Sequence, residues 1–341
     1  MTFPTTESEL EDALSTPTPG VLDTLRRHPG DFVVLGAGGK MGPSLSRMLK
    51  RGLEVIGSPA RVIAVSRFSS RNLPAWLEQQ GVQTHAADLL DPAAVRGLPD
   101  AHNVIYMAGQ KFGTQGAPST TWAMNAIVPA LVAERYAGVR TVAFSTGNVY
   151  PLSPVDSGGP SEGDSVGPVG EYAMSCLARE RVFEHFARSR GTPVALVRLN
   201  YAIDLRYGVL VDVARKIWTD EPVGLTMGYA NVIWQGDANA RSIQCLDIAD
   251  SPATVINLTG AETVSIRYAA VRLGQLLGKH PRFEGSEAGD ALLSDASRSF
   301  QLFGPLTVDT EQLLGWVAAW IRRGGRLLGK PTKFEARDGR F

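Results

Sequence analysis

Residues 31–45 read DFVVLGAGGKMGPSL, and this stretch decides the fold. A short apolar run ends in Gly36, Gly38, Gly39 and Gly42, and GPSLSRMLKRGL then continues with helical spacing. Glycines between a strand and a helix let the chain reverse sharply, let a pyrophosphate approach the helix amides, and let the helix lie close on the sheet. A purely structural turn is the alternative, and the strand-turn-helix setting favours dinucleotide binding over it. The Gly-Lys-Ser/Thr ending of a Walker phosphate loop is absent. On this reading Gly36, Gly38, Gly39, Lys40, Met41 and Gly42 contact a cofactor.

Outward from the loop the same alternation continues. RVIAVSR, VQTHAADL, NVIYMAG, RTVAFST and PVALVRLN read as buried strands, with helices through WAMNAIVPALVAERYA and YAMSCLARERVFEHFARS. Apolar strands alternating with helices predict an α/β fold of the Rossmann type, a doubly wound parallel sheet. After about Asn200 the alternation loosens: GVLVDVARKIW, TVSIRYAAVRLGQLLG and LLGWVAAWIRRGG read as helices, NVIWQGD and TVINLTG as short strands. The expected organisation is an N-terminal helical arm (1–29), a Rossmann domain (30–200), a smaller C-terminal substrate-binding lobe (201–330) and a polar tail (331–341). The arm, with TESELEDAL opening on a capping pattern, is expected to pack, either within the chain or across a homodimer.

Composition narrows the class. The 341 residues carry 34 Lys plus Arg against 34 Asp plus Glu, so no broad field draws nucleic acid or an anionic membrane surface. Two cysteines, Cys176 and Cys245, are too few for a disulfide framework and show no metal-ligand spacing. The N-terminus is acidic, and no apolar run of about 18 residues follows. The expectation is a cytoplasmic protein without metal.

The end of the second strand bears on the cofactor. A carboxylate there would hold the ribose hydroxyls of NAD, whereas AVSRFSSR presents Ser66 and Arg67, with Arg71 nearby. Together with Lys40 these predict a preference for NADP over NAD, unless the arginines are solvated surface charges. Asp88 and Leu89, after the third strand, are expected at the adenine. Asp88 is alternatively a helix cap.

Taken in order, these segments resemble the extended short-chain dehydrogenase/reductases, the NAD-dependent epimerase/dehydratase family, from about residue 32 to 325. Gly36, Gly39 and Gly42 match its glycine loop, NVIYMAGQKFG is similar to its fourth-strand segment with Ala108 and Gly109 at the cofactor, and Asn125 in WAMNAIVPA matches its helical Asn. FSTGNVYP resembles the motif that places a catalytic hydroxyl at Thr146, and EYAMSC the Tyr-x-x-x-Lys motif at Tyr172. The resemblance further implies substrate contacts at Asn148, Asn200 and Arg241.

The resemblance breaks at Cys176, where the family has its lysine. That lysine holds the cofactor and lowers the Tyr pKa. Bringing a phenol from ~10 to ~7 takes about 4 kcal/mol of preferential phenolate stabilisation, which a thiol does not supply. Two other sources of positive charge remain: the oxidised nicotinamide ring, which is cationic, and Lys111 at the end of the fourth strand, which would equally serve to secure the cofactor. Cys176 shares a helix face with Tyr172, where a small apolar side chain fills space. The resemblance implies hydride transfer on a sugar or nucleotide-sugar carbinol, with Tyr172 as acid/base and Thr146 on the reacting oxygen. The competing reading is a catalytically inactive NADP-binding regulator or scaffold with the same fold.

Overall fold

The computed structural model describes residues 3–111, 116–330 and 332–340. Seven strands form one parallel sheet: β1 (Phe32–Leu35), β2 (Val62–Ser66), β3 (Gln83–Ala86), β4 (Asn103–Tyr106), β5 (Arg140–Thr146), β6 (Val194–Leu199) and β7 (Thr254–Leu258). Their order is β7-β6-β5-β4-β1-β2-β3. The central strands are buried on both faces, which is why they read as unbroken apolar runs such as FVVL. Strand order reverses between β1 and β4, and ligands of open α/β sheets bind at the carboxyl ends of the strands beside such a reversal.

Helices cover both faces. On one, α2 (Pro19–Arg27), α3 (Gly42–Val55) and α7 (Gln235–Gln244) pack through Val21, Leu25, Leu45, Leu49 and Ile243 against Val34, Ile105 and Val142. On the other, α4 (Val128–Arg135) and α5 (Gly170–Arg190) bring Val128, Val132, Phe183 and Ala187 onto Val33, Leu35 and Tyr106. A third core belongs to the lobe, where α6 (Val209–Trp218), α8 (Ile266–Leu277) and α9 (Thr310–Arg322) close around Trp234 and Trp316. The ring centroids of these two tryptophans lie 5.4 Å apart, edge to face.

In three places the structure differs from or extends the sequence reading. TVINLTG, expected in the lobe, contributes the seventh strand of the main sheet, and α7 packs on that sheet, so the chain recrosses the boundary placed at residue 200. The arm spends its apolar face inside its own chain: in α1 (Glu7–Leu14), Leu10 and Leu14 enter the lobe core, while Arg206 bonds Glu11 at 2.6 Å. The tail is packed as well. Phe334 joins the lobe core, and Asp212 accepts hydrogen bonds from the Thr332 amide and hydroxyl at 2.8 and 2.6 Å. Among the described residues no helix is long and apolar enough to cross a membrane.

Candidate active site

The glycine loop has the shape its composition predicts. Gly36 has φ +86°, and a Cβ there would lie 2.5 Å from the Ala108 amide nitrogen, so the β1 and β4 ends touch backbone to backbone. A Cβ on Gly42 would lie 2.5 Å from the Ala37 carbonyl oxygen, which fixes α3 hard against the turn. Gly38 and Gly39 are exposed, leaving bare backbone at the amino end of α3. These features fit a dinucleotide pyrophosphate. Ser66 closes β2 beside Gly38, and Ala108 and Gly109 follow β4, with Ala108 beside Gly36.

The adenosine end differs from expectation. Arg67 and Arg71 are exposed, and Lys40 turns away from them: its Nζ donates to the Ala202 carbonyl at 2.7 Å and lies 4.5 Å from the centroid of the Tyr207 ring. The cationic set expected to favour a 2′-phosphate is therefore reduced to two solvated arginines. Asp88 is exposed and caps its own turn by accepting from the Leu90 amide at 3.0 Å, whereas Asp91 is the cap of the following helix. Leu89 packs in the core with Val95 and Leu98.

The catalytic candidates converge. Thr146 ends β5, and its hydroxyl donates to Asn148 Oδ1 at 3.0 Å, accepts from the Asn148 amide at 3.2 Å and hydrogen-bonds the Tyr172 side chain. Tyr172 stands on the first turn of α5, over which the Lys111 ammonium lies 5.6 Å from the ring centroid. Cys176 is fully buried one turn on, hydrogen-bonded to Tyr172 and packed with Val149 and Tyr150. Burial pushes the Tyr172 phenol well above its ordinary value, Cys176 adds to the rise, and Arg179 and Thr146 oppose it. The hydroxyl is thus held protonated in the free protein.

Asn125 lies on a π-helical turn, Ala123–Ile127, a local widening often found at functional sites. Its amide clamps Gln110, with Oδ1 accepting from the Gln110 nitrogen at 2.9 Å and Nδ2 donating to the Gln110 oxygen at 3.0 Å. Asn125 therefore shapes the β4 end beside Lys111 from beneath.

A pocket of about 180 Å³ joins these groups, lined by Lys40, Met41, Lys111, Thr146, Tyr172 and Asn200, with Asn148 at its wall. Asn200 donates to Ser294 at 3.4 Å. Ser145, Tyr201, Tyr207 and Thr332 also line the pocket, and sequence reasoning missed them. Tyr201 lies within the RLNYAID segment and Tyr207 just after it, polar aromatics that were the available signal, whereas nothing in the polar tail marked Thr332. No carboxylate lines the pocket among the described residues. Burial brings both Lys40 and Lys111 down to about 8; Lys40 is lowered further by Arg206 and Lys111, and Lys111 by Lys333.

Arg241 is not brought to the pocket. It sits in α7, donates to Ser299 at 3.0 Å and to the Gly304 carbonyl at 2.5 Å, and stacks 4.2 Å from the Phe300 centroid. It ties α7 to the 299–304 segment and does not line the pocket.

A glycine cradle at the reversal of a parallel sheet, with a Thr and a Tyr at the adjoining strand and helix ends, defines a Rossmann-type α/β protein with a hydroxyl-lined pocket. The chain belongs to the NAD dependent epimerase/dehydratase family, whose model matches residues 32–203, just over half its length. No curated protein matches the sequence. Among solved structures, a UDP-galactose 4-epimerase is similar at 21% identity with a TM-score of 0.68, covering 86% of this chain and 99% of that one. A UDP-glucose 4-epimerase from Thermotoga maritima, with UDP-glucose, is 17% identical at a TM-score of 0.70, with the same coverage. A UDP-glucuronic acid 4-epimerase from Bacillus cereus, in complex with NAD, is 18% identical at 0.69, covering 86% and 98%. At these identities the likeness shows the fold.

Proposed function

We propose that the protein binds NAD(P) and catalyses oxidation or reduction at a carbinol or ketone carbon of a sugar or nucleotide sugar, as an epimerase or reductase. The observation that carries the reading is the stacking of Lys111 over Tyr172 while the Tyr172 side chain is hydrogen-bonded to Thr146, all facing one pocket. The nicotinamide, when bound, supplies the hydride acceptor or donor. The exposed glycine backbone at Gly38 and Gly39 would hold its pyrophosphate, with Ser66 near the adenosine ribose.

Thr146 positions the reacting oxygen, and Tyr172 takes or returns its proton. The Lys111 charge favours the phenolate form of Tyr172 when the proton has to leave. Asn148 and Asn200 are hydrogen-bonding partners for sugar hydroxyls. Two ammonium groups without a carboxylate in the wall favour a ligand carrying an anionic group, either a phosphate or a sugar carboxylate. The nucleotide sugars of the similar structures satisfy this condition, as does an unactivated sugar acid. NAD is the first dinucleotide to test, since the similar structures that name a dinucleotide name NAD and Lys40 does not serve a 2′-phosphate here.

The test is to release and identify any bound dinucleotide by mass spectrometry, titrate the emptied protein with NADH and NADPH, and screen UDP-sugars and sugar acids for turnover. Tyr172→Phe is expected to keep dinucleotide affinity and to lower the rate by about 10²- to 10⁴-fold. Dinucleotide binding with turnover unaffected by Tyr172→Phe would overturn the proposed chemistry and favour a binding protein.

A further inference from the structure

Helix α5 carries a second unusual residue that the sequence reading did not single out. Arg179 lies seven residues after Tyr172 and three after Cys176, and it is 5% exposed. Its guanidinium donates to the Phe144 carbonyl at 2.9 Å and to Asn125 Oδ1 at 2.6 Å, and it lies 5.8 Å from the centroid of the Tyr106 ring. Among the described residues Nε has no hydrogen-bond partner. Both acceptors are neutral, and the adjacent Glu180 is committed elsewhere: Arg198 binds its two oxygens at 3.0 and 2.7 Å, and Ser145 donates to it at 2.5 Å. A guanidinium buried without a hydrogen-bonded carboxylate is costly, so its charge requires a compensating role.

The bonds of Arg179 lead to Tyr172. Asn125, held at Oδ1 by Arg179, directs Nδ2 to Ser175 Oγ at 2.9 Å and reaches Cys176 Sγ at a longer 4.0 Å. Cys176 is in turn hydrogen-bonded to Tyr172. The same guanidinium backs the β4 end, since a Cβ on Gly109 would fall 2.4 Å from its Nη2. Tyr172 is faced by Cys176 and Arg179 from its own helix, by Thr146 from β5 and by Lys111 from the β4 end.

We propose that Arg179 is a positioning residue, the interior cation of this site, which fixes Asn125, Cys176 and Tyr172 in one hydrogen-bonded chain in place of a lysine four residues after the tyrosine. The small thiol at position 176 leaves room for this arrangement, and one buried cation on this helix face excludes a second. Arg179 lowers the pKa of Tyr172 and of Cys176, in keeping with the geometry. This inference rests on the proposed acid/base reading of Tyr172 for its kinetic consequence, but not for its charge argument.

Four proteins test it: Cys176→Lys, Arg179→Met, Arg179→Lys and the double variant Cys176→Lys/Arg179→Met. The thermal midpoint of each is read without any substrate. Cys176→Lys is expected to be strongly destabilised, and the double variant to recover most of the loss, because the second cation has been removed. Losses that simply add would overturn the proposal and leave Arg179 as a clasp on Phe144.

For any substrate turned over, Arg179→Met is expected to lower kcat at least about tenfold with KM little changed, and to move the limb assigned to Tyr172 up by about one pH unit. Arg179→Lys recovers that limb. An unmoved limb would overturn the positioning role. A wild-type protein that binds no dinucleotide would sink the proposed function, while the thermal arm would still decide the charge argument.

Discussion

Replacing Lys111 with Met is the perturbation whose size follows most directly from the structure. The ammonium lies 5.6 Å from the Tyr172 ring centroid, in a pocket whose burial has already brought it down to about 8. With the phenolate oxygen taken at a similar separation, an effective dielectric of about 20 gives a preference for the phenolate of about 3 kcal/mol, or about two pH units. Removing it should move the limb on which the rate rises with deprotonation of Tyr172 up by about that amount, costing on the order of 100-fold at pH near 7. The sign of the pH dependence is set by Lys111 itself. It is charged below about 8 and neutral above, so the wild-type advantage is full at pH near 7 and shrinks as pH rises through about 8. Lys111→Arg keeps its charge across this range and should keep the limb low without that shrinkage. The assay is hydride transfer at saturating ligands, followed by nicotinamide absorbance from about pH 6 to about pH 10. A constant ratio of wild type to Lys111→Met at every pH would refute the argument and leave Lys111 a cofactor-binding residue.

Three further outcomes are expected. Anionic ligands should bind progressively more weakly as pH rises through about 8, since Lys40 and Lys111 lose their charge there; Lys40→Met should flatten the dependence measured by calorimetry, and an unchanged slope would exclude Lys40 from the ligand site. Gly42→Ala forces a Cβ to 2.5 Å from the Ala37 carbonyl and should cost about 1–3 kcal/mol in denaturant melts while abolishing NADH binding; wild-type affinity would show that the turn has slack. Arg198→Met removes the ion-pair partner of the fully buried Glu180 and should cost about 3–5 kcal/mol by the same melts, whereas a loss below about 1 kcal/mol would mean that the pair contributes little to the core.

The parallel sheet was legible because its central strands are buried on both sides, so they read as apolar runs such as FVVL, VIAV and VALV. The glycine loop was legible because its residues are dictated by backbone clearance at Gly36 and Gly42, a local constraint. Direction was not legible. Lys40 belongs to the loop by sequence, but its ammonium finds a carbonyl 162 residues away, at Ala202. Arg241 matched a substrate position by motif, yet its partners, Ser299 and Gly304, come from a segment with no pairing signal. Arg179 sits in the run ARERVF, which reads as a solvated helix face, and only the packing of α5 on Gly109 and Phe144 shows it to be interior. The tail read as polar because one aromatic, Phe334, anchors it amid charged neighbours.

The way the chain weaves between its two cores bears on how it can be divided. The sheet takes its edge strand from residues 254–258, the pocket takes a wall from Thr332, and Gly339 packs backbone to backbone on Gly170 at the start of the helix that carries Tyr172. A contiguous excision of residues 30–200 would leave β6 with an open edge and the apolar side of the sheet beneath α7 bare. The sheet half of this protein is therefore not a portable module. Recombination that exchanges its C-terminal segment would change a wall of the pocket together with the C-terminal lobe.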